Sequence, residues 1–216
     1  MPELPPPAPP ETRTSGQLVA EALRLYGRRF WRALMLGFGP MLFVLVVNAL
    51  PGRVGPLVFA ATGGAVLMTV CYVAASSLAA DVQPSGRVLL TAVVAGILVF
   101  APVPFLTVSF VFPGLIWLAF FGLAVPVALI ERTGLRQSVR RSIALARADF
   151  VHALGSLAAL VVVALISALT LAFLLGQFGD QSRAIAALVP LVLVSPLLFL
   201  GSALLYFDQV ARLRAQ

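Results

Sequence analysis

The sequence predicts an all-α integral membrane protein, with six transmembrane helices and two amphipathic helices at the cytoplasmic interface. Three observations predict it. Hydrophobic residues make up 61% of the 216-residue chain, charged residues 11%, and mean hydropathy is +1.04; a soluble domain carries about 25% charge and at most about 50% apolar residues. Uncharged apolar runs long enough to cross a bilayer, about 20 residues each, account for most of the chain. All 15 basic residues are Arg, and they gather on one side of those runs.

Residues 1–14 open with MPELPPPAPP, a Pro-rich tail without apolar periodicity, expected to be extended and disordered. It has no basic n-region and no small-residue cleavage site, so no cleaved leader is expected. Residues 15–214 read as a single helical membrane domain. Its first element is amphipathic: Val19, Leu23, Tyr26 and Phe30 follow one helical stripe, and Gln17, Glu21, Arg24 and Arg28 another. Such a helix suits the membrane interface, although a soluble partner could bind the same stripe.

The spans follow at about 31–50, 55–80, 87–106, 110–130, 150–178 and 184–207. Residues 88–130 contain no charge, yet 43 residues are too many for one crossing. Pro102, Pro104 and Pro113-Gly114 divide that run, so it reads as a hairpin of two spans. A second amphipathic helix, about 135–148, carries Val139, Ile143, Ala146 and Phe150 on one stripe and Arg136, Arg140 and Arg147 elsewhere. Displaced by 120 positions, the two amphipathic segments share Gln17/Gln137, Val19/Val139, Leu25/Leu145, Phe30/Phe150, Ala33/Ala153 and Leu34/Leu154. A parallel internal repeat is expected, each copy a surface helix followed by a hairpin.

With the N-terminus inside, thirteen Arg fall on the inner side and two, Arg53 and Arg183, on the outer. The positive-inside rule then places both termini in the cytoplasm of a multi-pass protein of the bacterial plasma (inner) membrane. The formal charge of +7 is explained by this bias rather than by nucleic acid.

Chemistry is sparse. No Asp, Glu, Arg or His lies mid-span, which argues against ion or proton coupling. The lone Cys71 excludes an intrachain disulfide, and the lone His152 has no companion at zinc-ligand spacing, so no metal site is expected. No Gly-rich phosphate loop precedes a GK[ST], and no cofactor is expected. His152 lies at the edge of the fifth span, away from the mid-membrane serines, so no catalytic residues are assigned and the chain is not read as an enzyme. The in-span hydroxyls read as helix-packing groups. Pro40, Pro126, Pro190 and Pro196 are either kinks that fit helices together or the lining of a transport path. The candidate functional groups are therefore those of the cytoplasmic rim: Arg24, Arg28, Arg136, Arg140, Arg141, Arg147, Glu131 and Asp208. With Asp149, the two acids form either an ordinary charged collar or ion pairs that tie the surface helices to the bundle, with spare Arg for anionic lipid head groups.

Phe112-Pro113-Gly114, PVALIE at 126–131, LRQSVRRSIALAR at 135–147 and LLYFDQVARLR at 204–214 resemble bacterial six-span proteins similar to the membrane domain fused to some glycerophosphoryl diester phosphodiesterases. The resemblance implies an embedded helical module. In the fused relatives the hydrolase is a separate soluble barrel, for which this chain has no room, so phosphodiesterase activity is not implied. Two functions remain open: a non-enzymatic scaffold or accessory module engaging lipids or a membrane protein partner, and a permease for a small or amphipathic substrate. A lipid-modifying enzyme is a weaker third reading, because no nucleophile–base pair is visible.

Overall fold

The computed structural model describes residues 14–108, 110–177 and 180–215, and these are helical with no strand among them. Twelve α-helices follow in order: α1 (Ser15–Arg28), α2 (Phe30–Met35), α3 (Phe38–Ala49), α4 (Val54–Phe59), α5 (Ala65–Ala80), α6 (Gly86–Phe100), α7 (Val103–Thr107), α8 (Val111–Phe121), α9 (Ala124–Ile130), α10 (Leu135–Ala148), α11 (Phe150–Gly176) and α12 (Asp180–Ala215). Six stretches are long and apolar enough to cross a membrane: Phe30–Ala49, Val54–Ala80, Gly86–Thr107, Val111–Ile130, Phe150–Gly176 and Leu188–Arg214. The protein is an all-α membrane protein. The uncharged run folds as two spans, as the prolines imply, and the last helix continues beyond residue 207 to Ala215.

Three of the six spans are interrupted, and proline chemistry explains where. Pro40, Pro56, Pro104, Pro113 and Pro126 each sit within the first three residues of a helix that restarts after a turn or break. There the missing N–H would have had no intrahelical partner anyway. Pro190 and Pro196 instead lie inside the continuous α12. The second span stays continuous through a π-helical turn at Ala60–Gly64 that joins α4 to α5.

Each span packs on its neighbours in sequence, and the sixth closes the ring by packing on the first. The second span also reaches across the ring to the fourth and the sixth. Packing is uneven along the membrane normal. On the side of α1 and α10, α9 is buried from Ala124 to Leu129, and Ala75, Ala92, Ala95, Ala128 and Ala203 bring the backbones close. This small-residue packing is what holds membrane helices together, because lipid supplies no hydrophobic drive between them. On the other side, over residues 38–63, 100–118 and 165–177, Gly114 is the only buried one among the described residues.

The repeat is visible in the helix bounds. Added to the limits of α1, 120 gives those of α10, and Phe30 and Phe150 begin the spans that follow. Thr14 caps α1 with a complete capping box: its Oγ1 accepts from Gln17 N–H at 3.3 Å, and its own N–H donates to Gln17 Oε1 at 2.9 Å. The buried residues are Leu18 and Ala22 on α1, and Ser138, Ser142, Leu145 and Ala146 on α10; Leu23 and Phe30 are exposed. The residues that meet the bundle thus lie beside the large-apolar stripe and overlap it at Ala146. The reason is close approach: Ala22, Ser138 and Ser142 are small, and Ser142 Oγ donates to the Phe120 carbonyl at 2.7 Å.

The first and sixth spans meet where Pro196 withholds an N–H from the carbonyl of Val192. The Cβ position of Gly37 collides with that carbonyl and with Val192 Cα, so only glycine fits there. Gly37→Ala should therefore lower stability by about 2 kcal/mol, the scale of overpacking. Gly155→Ala, whose Cβ meets nothing within 4 Å, should raise it by about 0.5–1 kcal/mol. Equilibrium unfolding of both variants in detergent checks the pair.

Candidate functional site

Polar chemistry concentrates where α1, α10 and the end of α12 meet. Arg212 is its centre: NH1 lies 2.8 Å from Asp149 Oδ2, and Nε 3.1 Å from Asp208 Oδ2. Asp208 and Arg212 share a helix face one turn apart. Asp149 also caps α11, its Oδ1 accepting from His152 N–H at 3.0 Å, so a carboxylate sits on the positive end of that helix. Gln209 is fully buried and donates from Nε2 to the Asp149 carbonyl at 3.4 Å.

His152 Nε2 lies 2.6 Å from Asp208 Oδ2, and Ser156 Oγ lies 3.4 Å from the same nitrogen. A Ser–His–Asp triad needs the carboxylate on one imidazole nitrogen and the serine on the other. Here both meet one atom, so the arrangement cannot deprotonate Ser156 by that route. Ser156 in turn meets Ser15 Oγ at 3.1 Å, which pins the start of α1 to the fifth span. The end of α1 is pinned to the second span, where Arg29 NH2 meets Asp81 Oδ1 at 2.7 Å. Over its length of about 21 Å, α1 is thus a strap laid across one end of the bundle.

Glu131, at the end of the fourth span, joins two further elements. Its Oε1 accepts from Arg141 Nε at 3.3 Å and from Tyr206 OH at 3.0 Å. Of the residues expected at the rim, Glu131, Arg141 and Asp208 are therefore structural ties, whereas Arg24, Arg28, Arg136, Arg140 and Arg147 are exposed. One expectation needs correction: Asp208 faces neither lipid nor solvent but is fully buried, because Arg212 and His152 converge on it. Burial also pushes the Tyr26 phenol upward, so it stays neutral on the inner face of α1.

No family model matches the chain, and no match is found among curated proteins or solved structures. The site must be read from its own geometry. Among the described residues, no group of three or more His, Cys, Asp or Glu side chains could hold a metal ion.

The second feature is a cavity of about 390 Å³ inside the ring, lined from all six spans. Its walls include Phe43, Met68, Phe100, Leu118, Leu160 and Phe199, and no charged side chain. Of the three hydroxyl residues that line it, Ser195, Ser202 and Tyr72, two donate within the protein. Ser195 Oγ donates to the Leu191 carbonyl, and Tyr72 OH to the Ser202 carbonyl at 3.4 Å. Elsewhere in the spans Thr62, Ser77, Thr91 and Thr107 likewise donate to the carbonyl four residues back, whereas the buried hydroxyls of Thr69 and Ser76 have no hydrogen-bond partner among the described residues.

Sequence reasoning offered Asp149 and Asp208 as ion-pair candidates but missed that both meet Arg212 and that His152 joins them at Asp208. The available signal was an Asp and an Arg one turn apart at the end of one span, with a His in the first turn of its neighbour. Arg212→Gln leaves two acids facing each other and should cost about 3–5 kcal/mol. Arg29→Gln, whose partner Asp81 has 79% of its side chain exposed, should cost under about 1 kcal/mol. Chemical denaturation of the two variants side by side measures the difference.

Proposed function

We propose that the chain is a non-enzymatic integral membrane module that engages bilayer lipids, with its arginine-bearing surface helices on anionic head groups. One observation carries this reading. Asp81, Glu131, Asp149 and Asp208 are consumed by internal partners, while Arg24, Arg28, Arg136, Arg140 and Arg147 are exposed and have no ion pair among the described residues. Each basic residue near an anionic surface contributes about 1 kcal/mol, and the long Arg stem keeps its methylenes on apolar surface while the guanidinium reaches phosphate. A scaffold built this way presents a membrane protein partner with a fixed, basic rim.

The permease reading is weaker. A path for a hydrophilic solute needs several polar groups aimed into it, and the walls of the central cavity are almost wholly apolar, with Ser195, Ser202 and Tyr72 their only hydroxyls among the described residues. The enzyme reading is weaker still, since the only His–Ser contact among the described residues has the wrong nitrogen. The Arg bias supports a bacterial plasma membrane location with both termini cytoplasmic.

Two measurements test the proposal. Replacing Arg24, Arg28, Arg136, Arg140 and Arg147 together with Gln should reduce several-fold the enrichment of spin-labelled phosphatidylglycerol around the reconstituted protein; unchanged enrichment refutes the head-group reading. A reporter fused near residue 108 should be external and one at Gln216 cytoplasmic. The reverse result overturns the orientation.

A further inference from the structure

The central cavity is elongated along one face of the sixth span. Leu191, Ser195, Leu198, Ser202 and Leu205 line it at intervals of three or four residues. From Leu191 to Leu205 a helix rises about 21 Å, whereas one leaflet of hydrocarbon is about 15 Å thick, half the bilayer core. A volume of 390 Å³ drawn out over that length is a narrow slot rather than a chamber.

Three properties define what fits. The wall offers hydrocarbon and aromatic rings, no charge, and three hydroxyl residues, of which Ser195 and Tyr72 already donate within the protein and Ser202 is the third. Ions, sugars and nucleotides are therefore excluded by the cost of losing water without replacement. The slot is closed toward α1 and α10, where Leu157, Leu160, Leu200 and Leu205 are buried. It is loosely walled in the opposite half, where the first, third and fifth spans bury no large side chain. The π-helical turn belongs to that looser half. The Cβ position of Gly64 there would meet the ring of Phe43, and Phe43 stacks on Phe59 at 6.0 Å while lining the slot. Single π-turns inside helices recur at functional sites.

We propose that the slot binds one hydrocarbon chain of a bilayer lipid, entering from the leaflet on the side away from α1 and α10. The bilayer itself supplies this ligand, and a long, narrow, uncharged site at membrane depth accepts nothing more polar. The proposal goes beyond head-group attraction at the surface helices and does not depend on it.

The test uses the full chain in vesicles of phosphatidylethanolamine and phosphatidylglycerol, doped with a phospholipid carrying a diazirine near the end of one acyl chain. After photolysis, peptide mapping should find adducts on Leu118 and Phe199, as well as on the lipid-facing Leu165 and Phe173. Phe199 has only 9% of its surface accessible and lines the slot, so its labelling reports a chain inside the slot. Ser202→Phe and, separately, Leu198→Trp obstruct the slot. Each should cut the slot adducts at least ten-fold and leave those on Leu165 and Phe173 unchanged. The five-arginine variant should label the slot like the unmodified protein, which separates this proposal from the head-group reading. Adducts confined to lipid-facing positions in the unmodified protein overturn it, whether or not the obstructed variants fold. So do slot adducts that survive both obstructions in folded protein, or a peptide of another chain crosslinked in the slot.

Discussion

Arg212 holding two carboxylates at once is the constraint on which the rest of the bundle depends. Asp208 is fully buried, and a buried carboxylate is expensive unless charge and hydrogen bonds surround it. The guanidinium meets that need with two separate donors, Nε to Asp208 and NH1 to Asp149, which is the use to which its planar fork is suited. Because Asp149 also caps α11, the same contact fixes the start of the fifth span against the end of the sixth. Gln209 and His152 fill the remaining space around it, and α1 is laid over the fifth span through Ser15 and Ser156.

From this end the packing loosens with distance. Small residues allow the backbones to meet near α9 and α5, and the polar ties hold them there. Farther along, the helices are broken and restarted, and the side chains are large and half-exposed. The central slot lies where one regime gives way to the other. Its apolar character follows from sequence economy: most of its lining is aliphatic or aromatic, and several span hydroxyls bond to their own helices.

The six spans and both surface helices were legible because hydropathy and Arg distribution are properties of contiguous segments. The tie between Glu131 and the helix after it was legible too, since its partner Arg141 is ten residues away. The Asp149–Arg212 contact joins residues 63 apart, and no periodicity announces it. Which residues of the surface helices meet the bundle was not legible from periodicity: Leu18, Ala22, Leu145 and Ala146 are buried, while Leu23 is exposed. The slot was illegible because six separate segments each contribute only a few ordinary apolar residues to it.

The two copies of the repeat carry one feature with opposite sign. Position 29, at the end of α1, is Arg and pairs with Asp81 at the end of the second span. Its counterpart 120 residues on is Asp149, and it pairs with Arg212 at the end of the sixth. The reversal makes the two ties non-interchangeable: exchanging residues 29 and 149 would set Arg beside Arg212 and Asp beside Asp81. The cost would fall mainly on the second tie, because Asp81 has 79% of its side chain exposed and water screens repulsion there.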